Sequence, residues 1–182
     1  LNALSSDKWQ AMSDAQLQAL TTTQIRGLSV RQLESLGTDD LNLLTTAQFQ
    51  ALTTRQVAAL STAQIAALTS NQTAALRTAQ IVALTTDQIA AIETVDLRAL
   101  GSASLQALST AQIGALTTAQ AAALTTTAVA ALSTAQLANL STAQMSGFSG
   151  TASTACGGST GVMTSGGVSV KAGWVVVSLM VA

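Results

Sequence analysis

Large apolar side chains recur along this chain in alternating steps of five and three residues, and the steps hold without insertion or deletion from Ala3 to Ser146. That span of 144 residues is eighteen units of eight, with unit 1 at 3–10 and unit 18 at 139–146. We number the positions on Ala59-Leu60-Ser61-Thr62-Ala63-Gln64-Ile65-Ala66 as one to eight. Position two is Leu in sixteen units, with Met12 and Ile92 in the others. Position seven is a large apolar residue in all units but two, which carry Thr73 and Ala121. Position three is Ser or Thr in fourteen units and position six is Gln in thirteen.

Ser or Thr followed three residues later by Gln is the capping box. The hydroxyl accepts the backbone N–H of the third helical residue, and the Gln side chain reaches back to the cap N–H. An apolar residue before the cap and another at the fourth helical position add the hydrophobic staple. Both signals return every eight residues, so each unit is expected to open a new short helix over positions four to eight plus the next Ala, and to turn at the following Leu. A single continuous helix is excluded, because eight residues at about 100° each overshoot two turns by about 80° and the apolar pair would spiral around the whole surface. The alternative is a β-solenoid. It suits Thr-rich repeats, but five-and-three spacing gives no clean alternation, and Ala and Gln favour helix.

The fold class expected is therefore an all-α repeat solenoid with one short capped helix per unit. A lone unit cannot close over its own core, so the units must stack on their neighbours. Leu and Ile are expected to line the inside, with Ser, Thr and Gln outside. Some units depart from the pattern: Gly37, Arg77, Glu93 and Gly101 stand at the cap position, and Asp40 and Asp96 replace Gln. Glycine is an acceptable cap and Asp accepts bonds near a helix start, so these read as tolerated decay, with a local bend or docking site as the alternative.

After Ser146 the frame dissolves. Residues 147–167 form a Gly/Ser/Thr-rich linker, and residues 168–182 form an apolar tail that reads as strand. The array, 1–146, thus precedes two further segments. The tail is expected to fold as a hairpin with the region of Gly161, Val162 and Met163 that seals the solenoid, to add as a strand to a neighbouring subunit, or to serve as a secretion or sorting signal. Its apolar residues Trp174, Val175, Val176, Val177, Leu179, Met180 and Val181 are the candidate assembly residues.

Composition narrows the function. Only 8% of residues are charged and the formal net charge is −1, so there is no electrostatic footprint for nucleic acid. The stretch 99–170 carries no charge at all, which reads either as the drift of a low-complexity repeat or as a face that packs against another copy. The single Cys156 excludes an intrachain disulfide and a cysteine zinc cage. There is no histidine, no base placed to activate a hydroxyl and no carboxylate cluster of metal spacing, so neither catalysis nor a metal or other cofactor is expected. No apolar run approaches the roughly 18 residues of a membrane span. Leu1 and Asn2 fit the last two positions of a preceding unit, which reads as a product of something longer.

The unit Ala-Leu-[Ser/Thr]-Thr-x-Gln-[Ile/Leu/Val]-x, as in 83–90 and 107–114, resembles octapeptide arrays of large bacterial secreted or cell-surface proteins. The resemblance implies a surface or matrix role and an extracellular or cell-surface location. The leading expectation is a structural subunit that assembles with copies of itself into an extracellular filament, sheath or matrix. The alternatives are a passive spacer or adhesin stalk within a longer surface protein, and a surface that binds an ordered ligand such as ice or a polysaccharide through the Thr at position four.

Overall fold

The structure is a computed structural model that describes Trp9, residues 11–146, and the backbone of 169–171 and 174–176. Every unit from 2 to 18 contains one helix of five or six residues, from Asp14–Gln18 through Thr62–Ala66 to Thr134–Ala138 and then 142–146. No residue of 11–146 lies in a strand, which excludes the β-solenoid.

Unit 8 shows why the helices are so short. Ser61, extended at φ −69° and ψ 158°, accepts the N–H of Gln64 on its hydroxyl. The Gln64 Oε1 in turn accepts the Ser61 N–H at 2.9 Å. A helix continuing through Ser61 would lose both bonds, and Ser and Thr compete with the helix through such local contacts. At the other end, Leu68 N donates to Ile65 O, closing the last turn. No glycine or proline is needed to stop the helix.

Each helix from Thr46–Ala51 to Thr110–Gly114 packs on the helices three units before and three units after it, for example Thr46–Ala51 on both Thr22–Arg26 and Ser70–Ala75. The superhelix therefore closes a turn in between three and four units. Position seven is at its centre: Ile25, Leu41, Phe49, Val57, Ile81, Ile89, Leu97, Ile113 and Ala121 are all at 0% exposure. The Leu of position two forms the surrounding layer, at 3–9%. The axis is thus packed with side chains. Positions three to five face solvent in every unit from 6 to 18. Phe49, large for its position, lies in a helix packed against the one that carries the small Thr73, which keeps the core volume even.

Candidate functional site

One expectation about the interior is overturned. Gln at position six is not outside: Gln32, Gln48, Gln56, Gln64, Gln72, Gln80, Gln88, Gln112, Gln120, Gln136 and Gln144 are all buried, at 2–5% exposure. The capping box accounts for the Gln Oε1 and leaves the Nε2 unspent. The Nε2 is directed into the preceding superhelical turn.

Gln64 Nε2 donates to Leu33 O at 2.9 Å and Leu36 O at 3.0 Å. Gln48 reaches Leu17 O, Gln18 O and Leu20 O at 2.9, 3.1 and 2.7 Å. The same reach recurs at Gln56, Gln72, Gln80, Gln88, Gln112, Gln120 and Gln136, and at Gln144, which bonds Gly114 O and Leu116 O. The acceptors are carbonyls at the C-terminal end of a short helix, which have no partner four residues ahead. A helix of five residues is almost entirely termini. Its donors are met by its own capping box and its acceptors by the carboxamide of the turn above. One side chain thus stops a helix and bonds it to its neighbour, which makes the row of carboxamides the structural site of the molecule.

The exceptions follow the same logic. Gln16 and Gln24 keep the capping contacts, Ser13 N to Gln16 Oε1 at 2.9 Å and Thr21 N to Gln24 Oε1 at 2.8 Å. Both are exposed, since they lie in the first turn of the described array. In unit 12 Asp96 replaces Gln and is buried at 4%. It accepts a bond from the Ser70 hydroxyl of the turn below, so the polarity of the inter-turn bond is reversed. Arg77 cannot accept the N–H of Gln80, and only half of that capping box is made, Arg77 N to Gln80 Oε1 at 2.8 Å. Gly37, Glu93 and Gly101 give no side-chain cap. In unit 16 Ala128 leaves Thr125 capping alone, through Ala128 N to Thr125 Oγ1 at 3.1 Å.

Sequence reasoning found the capping role of Gln and missed its donor role. A signal for it was present. Glu serves a capping box as well as Gln does, yet position six is never Glu in eighteen units. A requirement for a donor explains that exclusion.

Of the candidate assembly residues, Trp174, Val175 and Val176 belong to a strand, Trp174–Val176, paired antiparallel with Ser169–Lys171. Both strands lie within the tail itself, and the region of Gly161, Val162 and Met163 lies outside the described residues. Val177, Leu179, Met180 and Val181 lie outside the described residues, as do Cys156 and the linker. No helix among the described residues is long and apolar enough to cross a membrane.

No curated protein and no solved structure matches the chain. A family model does, that of the ALTTAQ repeat, at residues 24–54, 49–78 and 89–126. These segments together cover about half of the chain and fall within the helical array. The six letters of the family's name are positions one to six of the unit and end on the Gln whose carboxamide joins the turns: the chain belongs to the ALTTAQ-repeat family.

Proposed function

We propose that the chain is a structural scaffold that assembles with copies of itself into an extracellular filament, sheath or matrix. The observation that carries this reading is the form of the turn-on-turn interface. It is heterologous, with Gln carboxamides on one side and helix-end carbonyls on the other. An interface of that kind does not close on itself and propagates wherever a further turn is supplied. Past the last Gln of the array, Val129 O and Leu132 O, and Leu137 O and Leu140 O, receive no Gln from the described residues, and they offer a second copy the acceptors that each inner turn uses. The uncharged stretch 99–170 and the exposed Val82 and Val95, at 48% and 58%, favour lateral contact in addition.

Electron microscopy and light scattering of the purified chain, across a concentration series, test the reading. Filaments or concentration-dependent growth are expected. Strictly monomeric particles at high concentration, with the tail intact, overturn it. If the natural polypeptide continues into an adhesive domain, the stalk reading takes its place.

A second reading draws on the Thr at position four. Thr38, Thr62, Thr86, Thr110 and Thr134 are 24 residues apart, on helices each packed on the next, and all but Thr38 are exposed. Such a column suits an ordered ligand, ice or a polysaccharide. Thermal hysteresis and glycan pull-down test it, and retention of either activity after replacing the column rejects it.

A further inference from the structure

Unit 16 is built like its neighbours except that position six is Ala128. Unit 15, directly before it, shows what that position holds elsewhere. Gln120 Nε2 donates to Ile89 O, Ala90 O and Ile92 O at 2.9, 3.2 and 2.7 Å. Its Oε1 accepts Thr117 N at 2.7 Å. Eight residues on, the corresponding acceptors are Leu97 O, Arg98 O and Leu100 O, and the corresponding donor is Thr125 N. None of these four receives a side-chain bond from the described residues. A cavity of about 140 Å³ occupies the place, lined by Leu97, Arg98, Leu100, Leu124, Thr125 and Ala128 among others.

We propose that this cavity is a binding site for a primary carboxamide. The part of a Gln side chain missing beyond the Ala128 Cβ is Cγ, Cδ, Oε1 and Nε2, which is acetamide less one hydrogen. The same chain binds that group, covalently attached, at ten position-six Gln residues, from Gln48 to Gln144. The chemistry of the walls is therefore established by repetition within the molecule. A cation would satisfy the carbonyls but not the Thr125 N–H. It would also face Arg98, whose Nε donates to Ala123 O at 2.8 Å on the rim. A carboxamide is neutral and offers both a donor and an acceptor. The gap in unit 12 differs, because Ser70 and Asp96 already bond there. The group would come as a free amide or as an Asn or Gln side chain of another polypeptide. This site does not depend on the assembly reading.

The test is an NMR titration of the intact chain, labelled at the Ala methyl groups and backbone amides, with acetamide. Saturable shifts at the Ala128 methyl and the Thr125 amide are expected, with a Kd on the order of 10–100 mM for so small a ligand. N,N-Dimethylacetamide, which has no N–H, is expected to give none, and so is the variant Ala128→Gln, whose own side chain closes the site. Ala128→Leu, which fills the space without a donor, is a second closed variant should the first fold poorly. Titrating a peptide with a Gln side chain against its Glu counterpart distinguishes a polypeptide source from a free amide. Shifts that rise linearly without saturation, or equally in a closed variant or with the dimethyl amide, overturn the proposal.

Discussion

Units 6–11 (43–90) and units 12–16 (91–130) are written in the same octapeptide and share one continuous core, yet their turns are joined differently. In the first region all six units carry Gln, and Gln48, Gln56, Gln64, Gln72, Gln80 and Gln88 each bond the turn below. In the second, Gln112 and Gln120 do so, while Asp96, Ser104 and Ala128 stand at the other three positions. Position seven is buried alike in both apart from Val129, which is partly buried, with Ile81 and Ile89 at 0% matched by Leu97 and Ile113 at 0%. Outside unit 16, apolar packing therefore does not distinguish the regions. Burial of Leu and Ile is non-directional and fixes neither rotation nor rise between turns. The carboxamide fixes both, because it must reach two carbonyls three residues apart at the end of one helix, as Gln64 reaches Leu33 O and Leu36 O. Units 12 and 13 add helices without a side-chain cap, so the second region has fewer local and fewer inter-turn bonds.

The comparison can be broken most forcefully by erasing the first region's advantage. Replacing Gln64, Gln72 and Gln80 together with Ala leaves buried carbonyls unpaired and opens three cavities. At about 3 kcal/mol each the loss is about 9 kcal/mol, enough to abolish the cooperative unfolding transition in urea. In the opposite direction, Ala128→Gln fills the cavity and completes the Thr125 capping box. It is expected to stabilise by about 1–2 kcal/mol, read as a higher urea midpoint at unchanged slope. Thr73 is buried at 1% with its Oγ1 unbonded. Thr73→Val keeps the shape and removes that hydroxyl, for a gain of about 1 kcal/mol in the same assay. The smallest effect belongs to Gly101→Ser. A Cβ there meets nothing within 4 Å, and a new cap hydroxyl adds a few tenths of a kcal/mol, visible as a small rise in melting temperature.

Most of the fold was legible because the signals for it are local. Ser61 and Gln64 lie three residues apart, and a capping box can be read from four letters. The staple pair, Leu60 and Ile65, is equally near. What joins Gln64 to Leu33 and Leu36 spans 31 and 28 residues, and that separation is set by the number of units in a superhelical turn. No single unit encodes it. It arises from how short helices of this length settle against one another, so the inward turn of Gln followed only from the stacked structure. The cavity beside Ala128 was hidden for the same reason: Ala128 in sequence is a missing cap partner, and only the turn below shows that it also vacates three carbonyls.

The Gln Nε2, and not the capping box alone, holds the turns together. Glu preserves the capping acceptor and removes the donor, so the decisive measurement is urea unfolding of Gln72→Glu beside Gln24→Glu at pH 7. Gln24 caps Thr21 but is exposed, whereas Gln72 bonds Leu41 O and Leu44 O at 2.9 and 3.0 Å. Gln24→Glu is expected to lie within about 0.5 kcal/mol of the parent, and Gln72→Glu to lose about 3–5 kcal/mol, with a carboxylate set against carbonyl oxygens. Equal effects of the two substitutions would contradict this role of the Nε2.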